Sequence, residues 1–175
     1  MKMPRKAVSV FCVTFFGAVA FAQGNGYIKT HIDPGRAGVF VDGKYVGPAA
    51  NFKVARKYSV AAGEHEVKIV DPRYEEFTTK VTVTPGKTSV IAEKLKALPP
   101  PKGPFGKIRT LSNDKFAAVY INDKFYGHAD EFSNPSQFLL LPPGEYTIRV
   151  VPASGSPHEE KIKVEAEKII IVNAK

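Results

Sequence analysis

The stretch "VFVDGKYVG", residues 39–47, returns 80 positions later as "VYINDKFYG", residues 119–127. Each copy contains two short runs of valine, isoleucine and aromatic residues, which are typical of β-strands. Asp42-Gly43 separates the runs in the first copy and is a strong signal for a tight β-hairpin turn, because both turn residues need a positive φ. Asn122-Asp123 takes its place in the second copy. The chain therefore contains the same predicted hairpin twice.

The repetition extends on both sides of the hairpin. "GYIKT", residues 26–30, corresponds to "GKIRT", residues 106–110, at the same offset of 80. After one inserted residue, "VAAGEHEVKIV", residues 60–70, corresponds to "LPPGEYTIRVV", residues 141–151. Because the matches follow the same order in both parts of the chain, they indicate an internal duplication.

A proline-rich stretch separates the two copies. "KALPPPKGPFG" begins at residue 96 and holds three consecutive prolines, which lock φ and remove backbone donors. We expect an extended linker here. The predicted domains are therefore residues 23–95 and 106–175, joined by a linker at residues 96–105.

Apolar and polar residues alternate through both copies, and no window shows the 3.6-residue period of a helix. The predicted fold class is all-β, with two tandem small antiparallel β-sandwich domains joined by the proline-rich linker. In the first hairpin a two-residue turn pairs Phe40 with Tyr45 and Val39 with Val46.

Each copy resembles the PEGA domain, a small all-β module of exported and surface proteins of bacteria and archaea. "DPGRAGVFVDGKYVG" supplies the opening turn and hairpin, with Pro34 and Ala37 in the name-giving tetrapeptide. "AGEHEVKIV" supplies Gly63, His65 and Val67 of a characteristic strand. The resemblance covers residues 26–95 well, whereas the copy at 106–175 is degenerate. It implies a β-sandwich that serves as a binding or spacer module at the cell envelope.

The first 22 residues predict a signal peptide. A basic start precedes the apolar stretch "AVSVFCVTFFGAVAFA", which ends in a small-x-small pattern before Gln23. An uncleaved membrane anchor is the alternative, but the stretch is short for a span. Cys12, the single cysteine, lies in this segment without the surroundings of a lipidation site. We expect export to the periplasm or the cell exterior, without stable membrane insertion after cleavage.

The charge pattern does not indicate nucleic-acid binding. The chain has 25 basic and 17 acidic residues, and three of the basic residues belong to the predicted signal, so the mature chain carries a net charge of +5. The basic residues are spread along predicted strands, whereas a nucleic-acid interface clusters them. We therefore expect no nucleic-acid partner.

No pattern of catalytic or metal-binding residues is evident, and we predict neither enzyme activity nor a cofactor or metal. The four histidines, His31, His65, His128 and His158, lack metal-ligand spacing. We expect His65 to pack and to form a structural hydrogen bond. The acidic pairs Glu75-Glu76 and Glu159-Glu160 come just before the last two predicted strands of their copies. Because neighbouring strand residues face opposite sides of a sheet, we do not expect either pair to converge as an acid and a base.

The aromatic faces of the two hairpins are the candidate ligand or partner surface. They carry Phe40 with Tyr45, and Tyr120 with Phe125. Such pairs stabilise a hairpin or form a shallow platform for a partner. The predicted function is an exported, non-catalytic structural or protein-interaction module of the envelope. The alternative is a carbohydrate- or peptidoglycan-binding module that uses exposed hairpin aromatics.

Overall fold

A computed structural model of the protein describes residues 24–175, and the predicted signal peptide lies outside the described residues. The first half of the chain, residues 24–95, contains seven strands. They are β1 (Asn25–Asp33), β2 (Gly38–Val41), β3 (Lys44–Pro48), β4 (Tyr58–Ala61), β5 (Gly63–Val70), β6 (Phe77–Val83) and β7 (Thr88–Lys94). They form one sheet in the order β3-β2-β5-β6 and another in the order β4-β1-β7.

The second half, residues 106–175, repeats this arrangement strand for strand. Its strands are β8 (Gly106–Ser112), β9 (Ala118–Ile121), β10 (Lys124–His128), β11 (Leu139–Leu141), β12 (Gly144–Val151), β13 (His158–Val164) and β14 (Ile169–Ala174). The sheet orders are β10-β9-β12-β13 and β11-β8-β14. The observed topology confirms the all-β fold class with two β-sandwich-like halves.

Each half has its own core between its two sheets. In the first half, Ile28 of β1 and Ile91 of β7 pack in one cluster with Val67 and Ile69 of β5. In the second half, Ile108 of β8 belongs to the corresponding cluster. The alternating pattern places these residues on the inner faces, because successive strand residues point to opposite sides.

The sheets are antiparallel except for one pair of strands in each half. β1 pairs with β7 in parallel, and β8 pairs with β14 in parallel. The antiparallel prediction is therefore wrong for these pairs. The preceding strands β6 and β13 belong to the opposite sheet. After β6 and β13 the chain therefore crosses to the other sheet, where the last strand of each half runs parallel to the first strand of that half.

The hairpin turns have the predicted geometry. Asp42 and Gly43 have φ values of 51° and 77°, and Asn122 and Asp123 have 47° and 63°. The register agrees for Phe40 opposite Tyr45, but Val39 pairs with Gly47 and not with Val46. The shift comes from a β-bulge, in which Val46 is the extra residue without a partner. Gly47 follows it with a φ of 135°, a value that residues with a Cβ atom rarely adopt.

The linker packs on both halves. The Leu98 amide donates to the Arg73 carbonyl at 2.9 Å, and the Glu167 amide donates to the Phe105 carbonyl at 2.9 Å. Ala97 also forms a β-bridge with Tyr74. These bonds tie the linker to the first half at one end and to the second half at the other. The linker is therefore more than the extended spacer that its prolines predict.

We expect Ile148→Ala to lower the free energy of unfolding by about 2–5 kcal/mol, because it leaves a cavity in the second core. Ile148 is 0% exposed, whereas Ile171 in the same half is 57% exposed. Ile171→Ala is thus a matched control and should change stability by less than about 0.5 kcal/mol. Urea unfolding measures both, and equal losses for the two variants would contradict this assignment of the core.

Candidate functional site

The four aromatic residues singled out in the sequence meet in one cluster between the two halves. Phe125 lies 5.3 Å from Phe40, 5.2 Å from Tyr45 and 5.8 Å from Tyr120, measured between ring centroids. Phe125 is only 5% exposed, and the other three rings are half-buried. The rings therefore do not form the two separate exposed platforms that the alternative function requires. The two apolar hairpin faces cover each other instead.

A glycine makes this close approach possible. A Cβ atom built on Gly38 would lie 2.6 Å from two ring atoms of Phe125, which is closer than real contacts allow. The corresponding position of the second half, 80 residues later, holds Ala118. The interface is consequently asymmetric: Phe125 of the second half inserts against the bare backbone of the first.

The hydroxyl of Tyr45 is buried in this cluster and has no hydrogen-bond partner among the described residues. Burial raises its pKa strongly, and the negative charge of Glu131 raises it further. The phenol therefore stays neutral throughout the physiological range and is not suited to acid–base chemistry.

Charged residues continue the interface beside the aromatic cluster. The Asp71 side chain is 1% exposed, and its oxygens accept hydrogen bonds from Arg73 Nε at 2.7 Å and Nη2 at 2.8 Å. Arg36 Nε lies 3.3 Å from the same carboxylate. Arg73 Nη2 also donates to Glu131 of the second half at 2.9 Å. Arg73 thus joins the two halves through a shared guanidinium.

Both carboxylates of this charged cluster stay ionised at neutral pH. Burial alone opposes ionisation of Asp71, but the hydrogen bonds and charge of Arg73, together with the charge of Arg36, lower its pKa. Burial likewise opposes ionisation of Glu131, and contacts with His128 and Arg73 lower its pKa. The two carboxylates are buried while the Arg73 side chain is 44% exposed, and a buried carboxylate without its arginine would be strongly unfavourable, which favours a specific geometry.

A groove lies next to the interface. Its volume is about 720 Å³, and its walls include the linker prolines 99–101, residues 138–142 around β11, and residues 72–74 of the first half. Arg36, Arg73 and Lys124 are the only charged residues that line it. The first half, the linker and the second half therefore all contribute residues to this groove.

Comparison with known protein families identifies the first half. Residues 27–98 match the family of the PEGA domain, over a range that contains nearly all of β1 and extends beyond β7 to the start of the linker. Residues 27–98 form a PEGA domain. No curated protein matches the chain.

The hydrogen bonds of His65 close the hairpin turn of the PEGA domain. His65 Nδ1 lies 2.7 Å from Asp42 Oδ2, and its Nε2 lies 2.8 Å from the Ala61 carbonyl. The Glu66 amide donates to the other Asp42 oxygen at 3.0 Å. These contacts agree with the structural role expected for His65.

The second half reproduces these bonds with different side chains. The Tyr146 hydroxyl donates to the Pro142 carbonyl at 3.1 Å, and the Thr147 amide donates to Asn122 at 2.9 Å. At the repeat offset of 81, Tyr146 corresponds to His65 and Pro142 to Ala61. Tyrosine therefore anchors the same backbone carbonyl as the histidine of the PEGA domain.

Glu75 and Glu76 do not converge: Glu75 binds Lys96 at 2.7 Å and Glu76 binds Lys68 at 2.6 Å, so the two carboxylates use different partners. Both residues precede β6, which begins at Phe77, so their separation does not come from the two faces of a strand. Among residues 24–175, no group of histidine, cysteine and acidic side chains is arranged to hold a metal ion. In the same range no helix is long and apolar enough to cross a membrane.

The charged cluster at the interface is not evident from the sequence patterns. Its members occur in one copy only: Pro152 stands where the first copy has Asp71, and Phe116 where it has Arg36. Glu131, in turn, corresponds to Asn51. A comparison of the two copies for charges present in only one of them is the signal that identifies these residues.

We expect the Asp42–His65 bond to make stability dependent on pH. The hydrogen bond with Asp42 raises the pKa of His65 above the usual histidine value of about 6.5, against a smaller opposing effect of burial. The stabilisation is therefore complete below that value and is lost as the pH rises through the raised pKa. Urea midpoints measured between about pH 6 and about pH 9 should fall for the wild type and fall less for His65→Tyr. The control is His31→Gln, which removes a ring that contacts a backbone carbonyl; this variant should keep the wild-type profile. The prediction would be contradicted if His65→Tyr also kept the wild-type profile.

We expect Gly38→Val to separate the halves while both cores remain folded, because the new side chain occupies the place of the Phe125 ring. Small-angle X-ray scattering should show a larger radius of gyration, and proteases should cut the linker faster. Gly24→Val is the matched control, since a Cβ at exposed Gly24 meets only Pro85 at 3.4 Å. Unchanged scattering for Gly38→Val would show that this contact does not hold the halves together.

Proposed function

We propose that this protein is an exported, non-catalytic interaction module of the cell envelope, whose two halves present a joint surface to a partner protein. The observation that carries the proposal is the interface itself. The aromatic cluster and the Arg73–Glu131 bond hold a PEGA domain and a second sandwich together, and a groove runs where they meet the linker.

We also propose that residues 106–175 are a second, degenerate PEGA domain. Three features support a common origin: the identical strand order, the repeated hairpin, and the equivalent buried threonines. Thr30 donates to the Ala49 carbonyl at 2.8 Å, and Thr110 donates to the Ala129 carbonyl at 3.0 Å. A buried hydroxyl that satisfies the same carbonyl in both halves is a specific feature of the fold.

The proposed location is the periplasm or the cell exterior. The sequence features of residues 1–22 and the PEGA domain at residues 27–98 support it, because PEGA domains typically occur in exported proteins. Glycan binding through the hairpin aromatics receives less support, since those rings pack on one another at the interface.

Affinity capture from envelope extract tests the proposed function. Immobilised wild-type protein and the control Gly24→Val should retain the same envelope protein, identified by mass spectrometry after crosslinking. Gly38→Val should retain less of it, because the joint surface requires both halves. Absence of any protein enriched over a blank matrix, or pelleting of the protein with purified peptidoglycan, would contradict the proposal.

A further inference from the structure

The groove beside the interface has the size and the chemistry of a binding site. Its volume of about 720 Å³ lies within the range of ligand pockets in proteins. The rigid wall is made by Pro99, Pro100 and Pro101, and aromatic rings such as Phe105 and Tyr126 line the interior. Leu98 and Leu140 are 42% and 46% exposed at this place, so large apolar side chains remain open to solvent.

The lining favours apolar side chains over sugars. It contains no Asp, Glu, Asn, Gln, Ser, Thr or His residue, and its polar side chains are two tyrosines and three cations. A sugar bound here would bury hydroxyl groups without enough partners, which is unfavourable. Aliphatic and aromatic groups have no hydrogen bonds to lose, so their transfer from water to such a surface is favourable.

The open edge of a strand beside the groove favours a peptide as the ligand. β11 is the terminal strand in the order β11-β8-β14, and five consecutive residues, 138–142, border the groove. The groove therefore runs along an edge strand, whose unpaired backbone groups can bind an extended segment by β-strand addition. An acyl chain could fill the apolar space but would leave those backbone groups without partners.

The charges at the rim favour an acidic residue in that segment. Arg36 and Arg73 share the carboxylates of Asp71 and Glu131. Lys124 is exposed and forms no ion pair within the described part of the chain, and no carboxylate lines the groove. The rim therefore keeps one uncompensated positive charge.

We propose that this groove binds an extended segment of a partner protein, with large apolar residues at alternate positions and a carboxylate near Lys124. The segment lies between β11 and the linker prolines and pairs with the edge of β11. This inference rests on the proposed interaction function and specifies the site and the chemistry of the partner.

Selection from a display library of random peptides of about 12 residues tests the proposal with the purified protein. Selected peptides should carry alternating apolar residues and an acidic residue. Leu140→Glu should weaken their binding about tenfold or more, because it places a charge in the groove. Ile171→Glu is the matched control: it puts the same charge on an exposed aliphatic position of β14, outside the groove, and should bind as the wild type does.

A second variant separates charge recognition from the apolar contacts. Lys124→Glu should weaken the acidic peptides and reduce the dependence of their affinity on salt, while circular dichroism stays unchanged. The proposal is overturned by failure to enrich any peptide or by equal binding to Leu140→Glu and the wild type. It is also overturned if palmitate binds in a way that Leu140→Glu abolishes but leaves the bound peptide in place, because the peptide would then lie outside the groove. Retention of the captured envelope protein by Leu140→Glu would overturn this site and leave the interaction function intact.

Discussion

The ring of Phe125 lies against the backbone of Gly38, and the arrangement of the two halves depends on this contact. Only a residue without Cβ leaves room for the ring, because an added Cβ would lie 2.6 Å from its atoms. Phe40 and Tyr45 enclose the ring from the first half. Apolar surface that would otherwise be exposed on two hairpins is removed from water in one step.

The charged cluster adds specificity to this apolar contact. Apolar burial is non-directional, whereas Arg73, which is bonded to Asp71 of its own half, reaches Glu131 only in a specific relative position of the halves. The Glu131 side chain is only 11% exposed, and separating the halves would remove both of its arginine partners, Arg73 and Arg36, which belong to the first half. The interface therefore combines a non-directional attraction with a directional constraint.

Two similar halves form one asymmetric interface because they share the residues of the sandwich but differ in residues at the contact. Residues that build each sandwich are repeated, as Thr30 and Thr110 show. Residues that join the units differ: Gly38 corresponds to Ala118, and Asp71 to Pro152. The differences sit where the copies meet and where the linker packs. They convert two equivalent sandwiches into a single asymmetric body with a groove along β11.

The sequence by itself determined the local features: the internal repeat, the all-β class, the turns at Asp42-Gly43 and Asn122-Asp123, and the structural role of His65. The resemblance to the PEGA domain is likewise carried by turn and strand residues and is confirmed for residues 27–98. These properties depend on period-two alternation and on positive φ, which neighbouring residues encode. Only the tertiary structure decided the bulge at Val46, the parallel β1–β7 pair, the burial of Phe125 and the docking of the linker. Each of these results from contacts between residues far apart in the chain, whose energy no local pattern records.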